Sequence, residues 1–421
     1  MTDLRNKKPE LLLPAGSIEV LREAVLYGAD AVYIGGETMS LRSKAKNATI
    51  EELKECVAFA HAHGVRVYVT ANILAHNEDL VEARRYFEEL KEVRPDALII
   101  SDPGVFVIAR EVLPETEIHV STQANNVNYE TFLFWHRLGA KRVVAGRELS
   151  LKELAEIREK IPPELEIEAF VHGAMCISYS GRCLLSNYLT GRDANHGECT
   201  HPCRWKYALM EETRPGEYFP VEENERGTFI MNSKDLSMIG HVPELVAAGI
   251  DSFKVEGRMK TALYVATVAR TYRRAIDDYF ASPKLYEERL PWYLEEIEKV
   301  TFREYTTGFY FGKPGADAQV YEGRSYVTNY VYLGWVERIA PDGSAVFTQK
   351  NKFLPGDEIE IMKPDGTNVK TTVLEIRNQA GELMEAASHA SEKLFVRFSV
   401  IPDEGNILRV RSRENGGGSA F

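Results

Sequence analysis

Four cysteines crowd into residues 176–203 of a 421-residue chain. Six residues separate Cys176 from Cys183, fifteen separate Cys183 from Cys199, and three separate Cys199 from Cys203. The fifth, Cys56, lies far upstream in EELKECVAFAHAHG, on the apolar side of a helical pattern, and reads as core. Clustered thiols either pair as disulfides or bind metal as thiolates. The first residues, MTDLRNKKPE, are polar, with no apolar run of signal-peptide length behind them, and no segment reaches the length of a membrane span. A cytoplasmic protein is expected, and there a cysteine cluster points to metal or redox chemistry. Structural zinc sites usually have two tight cysteine pairs, and only Cys199 and Cys203 are tight here. Iron–sulfur clusters take four thiolates at more irregular spacing. The spacing leaves iron–sulfur, zinc and free redox thiols open, in that order.

A second set of reactive groups falls at the ends of apolar runs: Asn72, Gln123, Arg147, His172, and the alternating Lys254, Glu256 and Arg258 of KVEGR. Asp102, Asn125 and Glu148 hold similar positions. Alternation puts the three KVEGR charges on one face of a strand. Charges on a core strand are costly unless paired or used. They are either a buried ion-pair network or a substrate site, and the convergence of several basic groups favours the site. Arg42, in the loop after the second apolar run, is a further candidate for substrate contact. His172, four residues before Cys176, fits a general acid or base or a hydrogen-bond donor beside a metal, against the plain alternative of a packed histidine.

The elements that must position these groups repeat one theme to about residue 260. Short Val/Ile/Tyr/Phe-rich runs read as buried parallel strands at 10–16, 30–36, 65–72, 96–103, 117–125, 141–149, 166–173 and 251–258. Amphipathic helical patterns such as IEVLREAVLYG lie between them, and Gly28, Gly64, Gly139 and Gly249 suit left-handed helix ends. Eight strand–helix units predict a (β/α)8 TIM-like barrel spanning 1–281, with polar residues at the strand C-termini as the site. An open doubly wound sheet is the alternative, weakened by the lack of any G-x-G-x-x-G after a strand. The connection at 174–250 is far longer than a helix needs and carries all four clustered cysteines, which makes it a Cys-rich insertion. Within it, EETRPGEYFPVEENERG reads as a hairpin or exposed loop. A helical connector is expected at 282–319. From 320 to 421 short strand-like runs alternate with turns such as PDG and PGD, the texture of a small C-terminal all-β barrel. Arg409, Arg411 and Arg413 alternate in its last run, which reads better as the solvated face of an edge strand than as a phosphate track.

The formal net charge is −12, which is not that of a nonspecific nucleic-acid binder, although a local basic patch can coexist with an acidic remainder.

The stretch EAFVHGAMCISYSGRCLLS resembles the signature of peptidase family U-32, the collagenase-like proteins, at Glu168, Phe170, Gly173, Cys176, Gly181, Cys183 and Ser186. LLLPAGSIEVLREAVLYGADAVYIGG, SKDL at 233–236 and KVEGRMK at 254–260 have the same look, so the resemblance spans nearly the whole chain. The family name implies a peptidase. Yet the chain has no H-E-x-x-H and no G-x-S-x-G, and Ser178 and Ser180 near His172 lack an orienting acid. The resemblance implies instead an iron–sulfur protein of the branch that hydroxylates the tRNA wobble uridine to 5-hydroxyuridine with prephenate, the first step toward 5-methoxyuridine. Cys176, Cys183, Cys199 and Cys203 would then be the ligands of a 4Fe–4S cluster. His172, Lys254 and Glu256 would be catalytic. Arg42, Asn72, Gln123, Arg147 and Arg258 would bind substrate, the cations pairing with the two carboxylates of prephenate. A tRNA anticodon loop would be met by a basic track at Arg182, Arg192, Arg204 and Lys206, and a paralogous family member is a possible hetero-oligomeric partner. Two rival readings follow: a peptidase, and a noncatalytic zinc-binding scaffold for an RNA-modifying partner.

Overall fold

The computed structural model describes residues 7–40, 47–175, 232–314 and 326–412, with short runs at 189–190, 209–210, 218–219, 222–224, 227–229 and 319–320. Eight parallel strands close into a barrel: β1 (Glu10–Ala15), β2 (Ala31–Gly35), β3 (Arg66–Ala71), β4 (Ala97–Ile100), β5 (Glu117–Val120), β6 (Arg142–Val144), β7 (Glu166–Ala174) and β8 (Ser252–Val255). Closure is made by β8, which pairs with β7 (Ser252 opposite Glu168) and with β1 (Phe253 opposite Leu11). The predicted (β/α)8 class is the observed one, and the open-sheet alternative falls.

Local chemistry explains the repeat. Side-chain caps start five of the six helices that follow β1 to β6, the one after β3 being the exception. Ser17 caps α1 (Ile18–Leu26) and Thr49 caps α2 (Ile50–Ala62), the latter in a capping box with Glu52. The helix α3 (Asp79–Val93) follows β3. Asp102 caps α4 (Pro103–Val112), accepting from the Gly104 and Val105 amides at 2.8 and 3.0 Å. Asn128 caps α5 (Tyr129–Arg137), and Ser150 caps α6 (Leu151–Lys160) in a box with Glu153. Asp102, a candidate site residue from its strand-end position, is thus occupied as a helix cap.

Two further short strands extend the barrel sheet. Asp235–Ser237 runs antiparallel to β7, and Tyr305–Thr306 pairs with it in turn. In the long insertion Leu209–Met210 pairs antiparallel with Tyr218–Phe219, and Glu222–Asn224 with Gly227–Phe229. After α7 (Val242–Ala247) and β8 comes α8 (Ala262–Ala281), capped by Thr261 and buried along most of its length, then α9 (Pro283–Ile297) packed on it.

The C-terminal domain is a separate antiparallel sheet of seven strands: β9 (Tyr330–Trp335), β10 (Arg338–Ile339), β11 (Ala345–Thr348), β12 (Glu358–Met362), β13 (Asn368–Arg377), β14 (Lys393–Phe398) and β15 (Ile407–Arg411). The spatial order is β9-β15-β12-β13-β14-β11-β10. The long β13 serves both halves, and the ladder curls so that the Lys350 amide donates to the Leu333 carbonyl at 2.9 Å. One correction concerns the arginines. The strand β15 is internal, between β9 and β12, not an edge. Arg409 is fully buried, bonded to Glu296 of α9 and Glu360 of β12. It is part of the seam between the domains, while Arg411 is exposed and Arg413 lies outside the described residues.

Candidate active site at the barrel mouth

The barrel interior departs from the usual all-apolar filling. Leu12, Ala31, Tyr33, Tyr68, Ala97 and Ile99 form a small apolar patch. Several of the remaining inward positions carry charge. At the N-terminal end the Arg142 guanidinium donates to Glu10 Oε1 (2.6 Å), Glu166 Oε2 (2.6 Å) and Glu168 Oε2 (3.0 Å). Glu10 also accepts from Tyr68 (2.7 Å) and Ser252 (3.0 Å), and pairs with Arg66. His119, fully buried inside β5, lies edge-on to Tyr68. One layer higher, Lys254 Nζ donates to Glu168 Oε1 at 2.7 Å. Burial pushes the Lys254 ammonium below its ordinary pKa, and the Glu168 carboxylate opposes that shift.

Above this column, at the C-terminal ends of the strands, lies a small pocket open to solvent, with a cavity volume of about 60 Å³. Its lining brings together Asn72, Gln123, Arg147, Lys254, Glu256 and Arg258 from the sequence candidates, and adds Tyr33, Thr70, Ser121 and Phe170. The Asn72 amide donates to Gln123 Oε1 at 3.2 Å, and Ser121 shares that acceptor. The Arg147 guanidinium carbon lies over Phe170, 4.0 Å from the ring centroid, and the side chain donates to the Ala174 carbonyl at 2.8 Å. Arg258 is buried and held by Ser40 Oγ (2.7 Å), Thr70 Oγ1 (3.3 Å) and Asn47 Oδ1 (2.8 Å). The glycines of the LLLPAG and YIGG runs make room for it. A Cβ on Gly16 would fall 2.0 Å from the Arg258 carbonyl oxygen. Three cations around one polar cleft suit a small polyanion.

Other candidates are placed elsewhere. His172 does not line the pocket. The β7–β8 register shifts between Lys254 and Val255, so that Val255, not the next inward residue, pairs with His172. The histidine therefore leaves the inward row of Glu168 and Phe170. It packs among Tyr264, Tyr272 and Tyr305, with ring centroids 5.3–5.9 Å away. Burial pushes its imidazole down to about 3, so it is neutral at physiological pH. This placement differs from the expected acid–base role at the mouth. Asn125 takes a left-handed backbone conformation closing a short turn. Arg42, Cys176, Cys183, Cys199 and Cys203 lie outside the described residues, as do Arg182, Arg192, Arg204 and Lys206. The chain enters the four-cysteine segment directly from the C-terminal end of β7, beside the mouth. Cys56 is buried in α2, its thiol pushed up to about 12 by burial, as a core residue would be.

Apart from Lys254, the inner charges were not singled out as site residues from sequence, yet they leave a trace there. Glu10, His119, Arg142, Glu166, Glu168 and Lys254 interrupt otherwise apolar strands at inward positions, and Glu166 and Glu168 repeat with period two.

A closed (β/α)8 barrel with a cationic mouth pocket, carrying a curled antiparallel domain, defines the class: a two-domain TIM-like barrel protein. Residues 16–320 match the model of peptidase family U32, and residues 328–409 match that of the peptidase family U32 C-terminal domain. The protein belongs to peptidase family U32. It is 43% identical to "tRNA hydroxylation protein P1" of Bacillus subtilis over 384 residues, 91% of this chain and 90% of that one. It is 41% identical to "tRNA hydroxylation protein P" of Escherichia coli, covering 90% of this chain and 91% of the relative. A third relative, "23S rRNA 5-hydroxycytidine C2501 synthase" of Escherichia coli, is 37% identical over 64% of this chain and 39% of its own length. Among the described residues no helix is long and apolar enough to cross a membrane.

Proposed function

We propose that this protein is an RNA-modifying hydroxylase that converts the wobble uridine of tRNA to 5-hydroxyuridine, with prephenate as co-substrate. The observation that carries the reading is the near full-length similarity to two proteins named for tRNA hydroxylation. The similarity to an rRNA hydroxycytidine synthase supports the broader class, hydroxylation of an RNA base. The mouth pocket supports the co-substrate. Prephenate carries two carboxylates, and Lys254, Arg147 and Arg258 line one cleft. In this reading Cys176, Cys183, Cys199 and Cys203 hold a 4Fe–4S cluster, which supplies a Lewis-acidic or redox centre. Lys254 and Arg258 bind and orient the anion, while Asn72 and Gln123 offer neutral hydrogen bonds beside it.

A peptidase reading finds less support, because the described pocket lining contains no histidine to activate a serine. Nucleoside mass spectrometry of total tRNA from a deletion strain lacking any redundant pathway tests the proposal. Loss of 5-hydroxyuridine-derived modification, reproduced by blocking prephenate synthesis, is the expected result. Unchanged modification would overturn the tRNA assignment. Loss in the deletion strain that blocking prephenate synthesis does not reproduce would leave the RNA class and remove the co-substrate.

A further inference from the structure

We propose that Glu168 is a positioning residue for the mouth pocket: its carboxylate, gripped by Arg142 from below, aims the Lys254 ammonium at the pocket and maintains it as an anion-binding charge. The inference rests on the reading of the mouth as an anion site.

The carboxylate is fully buried and its two oxygens face different partners. Oε2 accepts from Arg142 Nη1 at 3.0 Å, and Oε1 accepts from Lys254 Nζ at 2.7 Å. Arg142 is already matched by Glu10 and Glu166, both at 2.6 Å, so its charge does not require a third carboxylate. The use left for Glu168 is on its other side. Lys254 makes one hydrogen bond among the described residues, and that bond is to Glu168. Its ammonium is otherwise flanked by ring faces, Tyr33 with its centroid at 4.5 Å and Phe170 at 5.6 Å. Aromatic faces steady a cation without using its protons in strong hydrogen bonds. An ammonium has three N–H donors, so two remain for a ligand in the pocket that Lys254 lines.

The charged neighbours make the carboxylate necessary. From β6 and the loop after it, Arg142 and Arg147 repel the ammonium. His119 faces it from β5, uncharged because burial and the surrounding cations hold its pKa well down. Glu10 on β1 is engaged by Arg142, Arg66, Tyr68 and Ser252. Tyr33 on β2 donates its hydroxyl to the Val255 carbonyl at 2.9 Å. Glu168 is therefore the group that holds Lys254 charged in a buried position.

The test is calorimetric binding of malonate, a minimal dicarboxylate, and separately of prephenate, to the full chain between pH 6 and 9. Wild type should bind with an affinity nearly flat to pH 8. Glu168→Gln should bind about tenfold more weakly at pH 8 and recover toward pH 6, because the lysine now loses its proton earlier. Lys254→Met should lose the binding and the pH dependence together. Glu168→Asp, which keeps the charge but shortens the reach, should weaken binding without moving the pH limb. Thermal melts at each pH report folding. Folded Glu168→Gln with wild-type affinity and profile would overturn the proposal, as would wild type that binds neither anion. If neither Glu168 variant folds, the residue is structural and the proposal fails. Binding of malonate but not prephenate would remove the co-substrate reading and leave the role of Glu168 standing.

Discussion

The Arg258 guanidinium occupies the space that any side chain on Gly35 would need: a Cβ there would fall 2.1 Å from Nη2. Gly35 ends β2 and Arg258 lies three residues beyond β8, on the other side of β1 in the barrel. The close approach lets Arg258 reach Ser40, Thr70 and Asn47. Its obstacle would be the far end of a flexible side chain, so Gly35→Ala is expected to fold and to push the guanidinium aside. Modification activity and dicarboxylate affinity should fall about tenfold or more, with a modest loss in Tm. An alanine variant of full activity would show that Arg258 does not act at the site.

Replacing Cys176, Cys183, Cys199 or Cys203 by serine should bleach the protein when it is prepared anaerobically. Wild type should be brown, with about four iron and four sulfide per chain, as a 4Fe–4S cluster requires. Cys56→Ser should stay brown, since that thiol is buried in α2. A colourless wild type filled with zinc would refute the cluster and favour the scaffold reading.

The seam between the domains predicts an acid transition. Glu296 is buried between Arg270 and Arg409, which hold its carboxyl at about 2 against the desolvation that would raise it. Its folded pKa is depressed, so its contribution is present above about pH 4.5 and is lost as pH falls toward about 2. The shift corresponds to about 3 kcal/mol at neutral pH. Denaturant melts from pH 6 to pH 3 should show stability falling, with a shallower slope in Glu296→Gln. That variant should also be less stable at pH 7, because two buried arginines lose their carboxylate.

Glu23 predicts the opposite sign. Glu19, Glu23 and Tyr27 share one face of α1, and that face docks on the C-terminal domain. Glu19 meets Tyr332 and Lys350, and the Tyr27 hydroxyl donates to the Met362 carbonyl at 2.7 Å. Glu23 between them is buried, its carboxyl oxygens have no hydrogen-bond partner among the described residues, and burial raises its pKa to about 8. Folding therefore favours the protonated form, and stability is lost as pH rises from about 4.5 through about 8. Glu23→Gln should raise Tm more at pH 9 than at pH 5. Equal shifts at both would show that the carboxyl ionises freely in the fold.

The sequence by itself determined the repeating architecture. Strand periodicity, Ser, Thr and Asn caps and the glycines closing helices are local devices, and local physics suffices to read them. It also set apart the four-cysteine segment, because thiol spacing is a property of the chain. Tertiary structure decided what the charges do. Lys254 and Arg258 read alike along KVEGR, yet one is paired with Glu168 in the barrel core and the other is threaded between Ser40, Thr70 and Asn47. His172 continues the period-two row of Glu168 and Phe170 along the chain, yet a register shift turns it among tyrosines. Arg409 looked like an edge-strand charge until strand order placed β15 inside its sheet and against α9. In each case the deciding partner is about 50 to about 220 residues away, at a distance set by barrel closure and domain docking, which no local pattern encodes.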